Sequence, residues 1–197
     1  PSNSSAASDV YKRQVLQVFG IDYEVYDETA KYLSYLLTPA TVCLAIPLYQ
    51  QIELLKKNLT AVVLGIVAGV FSSLGSVFGM AYLFGLSHKE YVTLLPKSIT
   101  TAIGIGVSEE LGGFTTITVA VIIVTGVLGN VIGEQICKMF RIQEPVAVGL
   151  ALGTSAHAIG TTKALELGEV QGAMSSLSIA VAGLITVVGA SVFANFM

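Results

Sequence analysis

AIGIGVSEELG (residues 102–112) and AIGTTKALELG (residues 158–168) are two copies of one eleven-residue stretch, 56 positions apart. Six of the eleven positions are identical without a gap, and an apolar run follows each copy. Such a repeat divides the chain into two related units, here residues 92–137 and 145–197. In a membrane chain, Gly-interrupted apolar segments at corresponding places in two repeats are typical of a transporter's binding site.

The composition indicates a lipid bilayer as the surrounding solvent. Hydrophobic residues make up 53% of the 197 residues and charged residues only 12%, about half of what an ordinary soluble domain carries. The mean hydropathy is +0.77. Residues 58–86 and 114–137 are each long enough to cross about 30 Å of hydrocarbon. The class predicted is a polytopic α-helical membrane protein.

The chain divides into three parts. Residues 1–14 are Ser-rich, polar and aperiodic, and we interpret them as a disordered or non-native leader. Residues 15–30 are acidic and predict an extramembrane segment, and residues 31–197 form a single membrane domain. Cys43 and Cys137 lie in or beside apolar segments without a CxxC pattern, which favours small hydrophobes over a disulfide or a metal pair.

Within the membrane domain, the segments differ in regularity. Residues 31–51 contain Pro39 and Pro47, each of which removes a helical hydrogen bond and bends the chain. A loop is expected at residues 51–58. The regular spans are expected at residues 58–86, 114–137 and 173–197, and the interrupted segments at residues 94–113 and 146–168.

The topology follows from the basic residues. If both interrupted segments cross the membrane, the pair at 56–57 and the pair Lys138 and Arg141 fall on opposite sides. If each is a re-entrant hairpin, both pairs share one side and the acidic stretch 22–28 takes the other. The positive-inside rule favours the second arrangement, with Lys89 as the exception. We therefore predict an all-α membrane fold of inverted repeats, each a Gly-interrupted helix pair, re-entrant or broken, plus a spanning helix.

Polar and basic groups concentrate where the apolar pattern breaks. A broken helix leaves unpaired N–H groups at a new N-terminus, and the helix dipole there attracts anions. Together with Lys97, His157 and Lys163, two such breaks predict a midplane site for a small carboxylate. The candidate substrate-binding residues are Lys97, Ser98, Thr100, Thr101, Gly104, Thr154, Ser155, His157, Gly160, Thr161 and Lys163.

Each candidate also has a structural interpretation. Ser and Thr in membrane helices bond to their own turn or bridge helices. Lys97 can extend to the membrane interface, and Lys163 stands at helical spacing from Glu166, which suits a local ion pair. His157 is harder to explain structurally, because no other ionisable group occurs between residues 146 and 162, and a charge at the bilayer centre costs about 3 kcal/mol. Asn130 is expected to join helices rather than to bind a ligand.

The sequence contains no pattern typical of an enzyme. A nucleophile elbow, an HExxH pair, a paired Asp in a span and a phosphate loop are all lacking, and no strand precedes the Gly-rich stretch. We expect neither catalytic residues nor a metal or another cofactor. No basic-aromatic interleaving suggests nucleic acid.

Three stretches resemble the LrgB family of antiholin-like membrane proteins. They are LLTPATVCLAIPLYQQ (residues 36–51), LLPKSITTAIGIGVSEELGG (94–113) and GLALGTSAHAIGTTKALELGEVQGAMSSL (149–177). The resemblance runs from about residue 19 to the end. Members of this family usually begin with about two further membrane segments, so the chain is expected to be truncated behind a foreign leader.

The resemblance implies a multi-pass protein of the bacterial plasma membrane, related to cation:proton antiporter and anion transporter folds. Bacterial relatives act with a small LrgA- or CidA-like holin-like partner and affect murein hydrolase export and autolysis. Others are linked to pyruvate uptake, and plastid relatives move glycolate and glycerate. Two functions follow: a proton- or cation-coupled carrier of small 2-oxo or 2-hydroxy monocarboxylates, or an antiholin-like regulator without transport, which would contact a partner through the Gly/Ser-rich face of residues 58–86. A homo-oligomer is compatible with both.

Overall fold

The computed structural model describes residues 45–197, and every described element is helical. The leader 1–14, the acidic segment 15–30, Pro39 and Cys43 lie outside the described residues. In chain order the helices are α1 (Ala45–Gln50), α2 (Ile52–Lys57), α3 (Leu59–Phe84), α4 (His88–Leu94), α5 (Thr101–Glu110), α6 (Thr115–Met139), α7 (Pro145–Leu167) and α8 (Glu169–Phe193), with a 3-10 turn at Ala194–Phe196.

Three of these helices are long and apolar enough to cross a bilayer. They are α3, α6 and α8 with its terminal turn, of 26, 25 and 28 residues, with mean hydropathies of 2.2, 2.1 and 2.2. Their outer faces expose large apolar side chains, such as Leu184 (72% exposed) and Val188 (68% exposed) on α8. In water such faces would be costly, whereas lipid accepts them. The predicted class, an all-α polytopic membrane protein, is confirmed.

The structure differs from the prediction in one loop and in the start of one helix. The expected loop at 51–58 is instead the short helix α2, since its sequence IELLKK is rich in helix formers, with Glu53 in the first turn and Lys56 and Lys57 in the last. The third span starts at Glu169, four residues before the predicted start at 173, because the preceding helix ends at Leu167 and Glu169 supplies an acidic first turn.

The first interrupted segment doubles back on itself. Helix α4 ends at Leu94, residues 95–100 form turns, and α5 begins at Thr101. Although α5 rises about 15 Å over its ten residues, its far end returns to the end of α4. There Thr118 Oγ1, in the first turn of α6, lies 2.8 Å from the backbone oxygen of Thr93 and 2.7 Å from Ser108 Oγ, within hydrogen-bond distance of both. We call residues 88–113 hairpin 1.

The second interrupted segment also reverses. Helix α7 consists of two helical stretches joined at His157, whose φ of 43° and ψ of −139° are far from helical values. A Cβ on Gly160 would lie 2.8 Å from the backbone oxygen of Leu152. In a straight helix, residues eight positions apart are separated by about 12 Å. The chain therefore turns back at His157, and we call residues 145–167 hairpin 2, with arms at 145–156 and 158–167.

The two reversals fall at the same place in the repeat. Hairpin 1 resumes its helix at Thr101, directly before the repeated Ala102, and hairpin 2 turns at His157, directly before the repeated Ala158. Each hairpin then leads into a long helix, α6 or α8. The repeated sequence therefore marks the returning arm of each hairpin.

The ends of the molecule differ in charge. Gly65 of α3 and Gly133 of α6 pack against Leu150 and Leu152 of α7, so the start of α3, the end of α6 and the start of α7 lie at one end of the molecule. We call it the basic end, because Lys56, Lys57, Lys138 and Arg141 flank it. At the opposite end, the Tyr91 hydroxyl donates to the backbone oxygen of Phe193 at 2.9 Å. Lys89 lies there, with its Nζ 4.2 Å from the centre of the Phe114 ring.

The tips of both hairpins reach the middle of the long helices. Ser98 in hairpin 1 bonds Ser73, midway along α3. Gly104 packs against the Ile122 side chain of α6, and His157 bonds the Ile122 backbone oxygen. Both reversals are therefore buried halfway through the helical bundle, where backbone that departs from a helix is shielded by protein.

Candidate functional site

A cavity of about 890 Å³ extends from residues near the basic end to the middle of the bundle. Its walls are α3, α6 and the first arm of hairpin 2, and its inner end is the tip of hairpin 1. The residues that line it are Asn58, Ala61, Gly65, Gly69, Ser72, Ser73, Ser76, Lys97, Ser98, Thr125, Gly129, Ile132, Gly133, Ile136, Cys137, Glu144, Val146, Ala147, Leu150, Ala151, Leu152, Thr154 and Ser155.

The inner end carries a cation and two hydroxyls. The Lys97 ammonium donates to Ser98 Oγ at 3.0 Å, and Ser98 Oγ lies 2.9 Å from Ser73 Oγ. Lys97 is half-buried. In residues 45–197, the ion pairs all involve other lysines, so no described carboxylate neutralises Lys97. The charge of this half-buried ammonium is therefore not balanced by a carboxylate in the described part of the chain.

Thr154 and Ser155 lie in the cavity wall, contributed by hairpin 2. The Thr154 hydroxyl donates to the Leu150 backbone oxygen at 2.7 Å, and the Ser155 hydroxyl donates to the Ala151 oxygen at 2.6 Å. Both hydroxyls therefore bond the backbone of their own helical turn, as expected if their role is structural. Because each of these hydroxyls donates its proton within its own helix, each can act toward a ligand only as an acceptor, whereas the Ser73 and Ser98 hydroxyls bond each other.

The other candidates in hairpin 1 do not line the cavity. Thr100 precedes α5 with an extended backbone (φ −64°, ψ 147°), and its side chain makes no capping hydrogen bond. Thr101 is half-buried in the first turn. Gly104 is buried where a Cβ would overlap the end of the Ile122 side chain. This glycine allows α5 to lie directly on α6.

Three candidates in hairpin 2 lie behind the cavity wall. His157 is 3% exposed, and its Nε2 is 2.9 Å from the Ile122 backbone oxygen. Gly160 lies against the first arm, as described above. The Thr161 hydroxyl donates to the His157 oxygen at 3.0 Å and lies 2.7 Å from Ser175 Oγ on α8. These residues hold the hairpin together and attach it to α6 and α8.

Lys163 takes part in an ion-pair cluster. Its Nζ lies 3.2 Å from Glu134 on α6 and 3.3 Å from Glu166, and Glu134 also contacts Lys138 at 2.6 Å. The predicted local pair with Glu166 is present, and the charge of Lys163 is balanced outside the cavity.

Next to it, Asn130 Nδ2 donates to the Ile159 oxygen at 2.8 Å and to Thr162 Oγ1 at 2.9 Å, so Asn130 joins two elements as expected.

Sequence reasoning missed Ser73 as a site residue. It stands among seven small residues of α3, which together predict close helix packing. Gly69 does pack closely, with Thr154 Oγ1 2.8 Å from where its Cβ would be. Only the position of the hairpin 1 tip distinguishes Ser73 from its neighbours, and no local sequence signal carries that information.

Within residues 45–197, no cluster of three His, Cys, Asp or Glu side chains is arranged to hold a metal ion.

These features define a multi-pass helical membrane protein with a polar, cationic cavity between two interior hairpins. The sequence model of the LrgB-like family matches residues 7–196, and the chain belongs to that family. The match begins within the stretch that the sequence alone suggested as a leader.

Named relatives agree with this membership. The chain is 42% identical over 172 residues to the holin-like protein CidB of Staphylococcus epidermidis, which covers 87% of this chain and 75% of the relative. It is 39% identical over 182 residues to the antiholin-like protein LrgB of Bacillus cereus, which covers 92% and 79%. These names describe holin-like and antiholin-like proteins rather than enzymes. No solved structure matches the chain.

Proposed function

We propose that the chain is the substrate-binding subunit of a secondary transporter for small 2-oxo or 2-hydroxy monocarboxylates, of the pyruvate, glycolate or glycerate class. It would be coupled to protons or cations and act with a small LrgA- or CidA-like membrane partner. The observation that carries this proposal is Lys97, a half-buried cation without a described acidic partner that lines the cavity beside two serine hydroxyls.

The chemistry of the inner end suits such an anion. A carboxylate placed against Lys97 would balance a charge whose burial in a membrane costs about 3 kcal/mol. The Ser98 and Ser73 hydroxyls, 2.9 Å apart, can then bond the oxygen on the neighbouring carbon, and a hydroxyl in a 2-hydroxy acid can bond them in turn.

The course of the chain supports an inverted pair of repeats. Hairpin 1 enters and leaves near the end opposite the basic residues, because Thr93 and Ser108 meet at Thr118. Hairpin 2 enters beside Glu144 at the basic end and returns to Lys163, next to Glu134 and Lys138. We infer that the two units are related by inversion, with the binding site where their tips meet, as in many secondary transporters.

The charge distribution supports an orientation. Four basic residues flank one end, and the positive-inside rule assigns that end to the cytoplasm. The basic end would then lie on the cytoplasmic side of a bacterial plasma membrane.

A second function, regulation of a holin-type pore without transport, is favoured by the names of the relatives. The face of α3 suggested for a partner is already occupied, since Gly69 packs on Thr154 and Ser73 bonds Ser98. A partner would therefore contact the outward side of α3, where Leu64, Phe71 and Leu83 are exposed.

Uptake measurements test the proposal. The full chain would be reconstituted in liposomes with and without its small partner, and entry of radiolabelled pyruvate, glycolate and glycerate measured. Since a hydrogen bond to a charged group contributes about 1.5–3 kcal/mol, Lys97→Met should weaken uptake roughly tenfold to a hundredfold. Lys89→Met, the matched change at the opposite end, should have little effect. Absence of uptake with both proteins present, or equal uptake by the Lys97 and Lys89 variants, would favour the regulator.

A further inference from the structure

His157 combines backbone strain with deep burial. Among the described residues, it and Arg141 are the non-glycine residues with positive φ, and Arg141 lies in an exposed loop. A side chain other than glycine adopts this conformation at a cost, so surrounding contacts must maintain it. At His157 those contacts come from α6.

The imidazole ring points away from the cavity and into a space left by a glycine. A Cβ on Gly126 would lie 2.7 Å from His157 Cε1 and 2.9 Å from Nε2. Nε2 itself is 2.9 Å from the Ile122 backbone oxygen. A carbonyl oxygen only accepts hydrogen bonds, so Nε2 carries the proton and donates it. The neutral ring is sufficient for this bond.

Ile122 also contacts the other hairpin, because its Cδ1 packs against Gly104 of hairpin 1. One residue of α6 therefore receives both hairpins, hairpin 2 through its backbone oxygen and hairpin 1 through its side chain. The wall residues Thr154 and Ser155 lie only three and two positions before His157. Displacement of the ring would therefore move the polar part of the cavity wall.

We propose that His157 is a positioning residue, a neutral hydrogen-bond donor that fixes the tip of hairpin 2 to α6 and so sets the position of Thr154 and Ser155. It neither contacts the substrate nor takes up a second proton during transport. A second proton would create a charge in an apolar surrounding, where no described carboxylate forms an ion pair with the ring. The positioning role does not depend on the transported substrate; only the uptake readout below rests on the proposed function.

Two substitutions separate a hydrogen-bond donor from a titrating group. His157→Gln keeps an N–H donor at nearly the same reach but cannot change its protonation near neutral pH, whereas His157→Ala removes the donor. A third variant, Gly126→Ala, leaves His157 intact and pushes the ring from its place. Gly106→Ala is the matched control, since a Cβ there meets nothing within 4 Å.

The first readout is the labelling rate of Ser155→Cys by a membrane-impermeant maleimide, with Cys43 and Cys137 replaced by Ser. We expect His157→Gln and Gly106→Ala to label as the parent does. In His157→Ala and in Gly126→Ala, the labelling rate should differ from that of the parent by about fivefold, because one neutral hydrogen bond contributes about 1 kcal/mol. Failure of His157→Ala to fold while His157→Gln folds would also support the proposal. Parent-like labelling in both His157→Ala and Gly126→Ala would overturn it.

The second readout is pyruvate uptake, with Ser155 intact, between about pH 5 and 8, where imidazole titrates. We expect His157→Gln to keep the rate and pH profile of the parent. A folded His157→Gln protein with normal labelling but abolished uptake or a flattened pH profile would assign the proton-carrying role to His157 and overturn the proposal. If even the parent shows no uptake, the carrier function fails while labelling still decides the positioning role.

Discussion

At the scale of single residues, the cavity depends on how each polar side chain is paired. Lys97 and Lys163 are similar in sequence context, both near a break in an apolar segment. Lys163 has two carboxylates within 3.3 Å, whereas Lys97 bonds a serine hydroxyl. The charge of Lys163 is therefore balanced by carboxylates, whereas no described carboxylate balances that of Lys97.

Lys163→Met tests this difference. Because partly exposed ion pairs contribute about 1 kcal/mol or less, we expect a slightly lower midpoint of thermal unfolding in detergent and a KM for uptake within about twofold of the parent. Glu134→Gln is the control, since it removes the ion pair between Glu134 and Lys163 while keeping the Lys163 side chain. A KM for Lys163→Met raised as far as that of Lys97→Met would show that Lys163 also meets the substrate.

Ser73→Ala tests the hydroxyl that sequence reasoning missed. Loss of one neutral hydrogen bond to the substrate, worth about 0.5–1.5 kcal/mol, should raise the KM for pyruvate uptake roughly twofold to tenfold. The comparison is Ser191→Ala, an exposed serine of α8 whose hydroxyl bonds its own helix at Val187. An unchanged KM in Ser73→Ala would remove Ser73 from the binding site.

At the scale of elements, hairpin 2 depends on close contact with α8. A Cβ on Gly153 would lie 2.5 Å from the Ser175 backbone oxygen, which has no freedom to move aside. Glycine in this arm therefore serves close approach between helices, as small residues do generally in membranes.

Gly153→Ala should accordingly destabilise the protein by about 1–3 kcal/mol, the usual result of overpacking. Gly106→Ala in α5 should be neutral or stabilising by up to about 1 kcal/mol, because alanine favours a helix and meets no neighbour there. Thermal unfolding in detergent measures both. Equal midpoints for the two variants would contradict the contact between Gly153 and α8.

The start of α4 responds to pH. The Glu90 carboxylate accepts hydrogen bonds from the Ser87 hydroxyl at 2.7 Å and the Ser87 N–H at 2.8 Å, and these bonds lower the pKa of Glu90. A lowered pKa in the folded state means that the cap stabilises α4 above the ordinary carboxyl pKa and loses that effect as the pH falls through the lowered value.

Amide hydrogen exchange at residues 88–91 should therefore be faster in Glu90→Ala than in the parent near neutral pH. The difference should begin to shrink only below the ordinary carboxyl pKa, and it should disappear once the pH is below the lowered pKa of Glu90. Glu110→Ala, at the exposed end of α5, serves as control. A difference that persists at low pH would mean that the charge of Glu90 does not act in the cap.

At the scale of the whole molecule, the two hairpins determine which ends of the long helices lie on the same side of the membrane. Lys57→Cys and Arg141→Cys should react with an impermeant maleimide from one side of the membrane, because both flank the basic end. Lys89→Cys should react from the other side. Labelling of positions 57 and 141 from opposite sides would require a spanning segment in place of a hairpin.

Much of this architecture could be predicted from local sequence. Apolar runs of bilayer length predict α3, α6 and α8, because the free energy of transfer to lipid depends on composition and length alone. The repeated AIG stretch predicts where each interrupted segment breaks. Helix α2 was missed because a loop was expected between two spans, although IELLKK is itself a good helix sequence.

The sequence by itself determined the membrane class, the family and the register of the two breaks, since each depends on residue type and order along the chain. Only the tertiary structure decided which polar residues share a cavity. It placed Ser73 beside Ser98 and Lys97, and turned His157 and Lys163 toward α6. The physical reason is that residues such as Ser73 and Ser98, 25 positions apart, meet only when a hairpin reverses between long helices, and that reversal depends on glycines and carbonyl oxygens contributed by other elements.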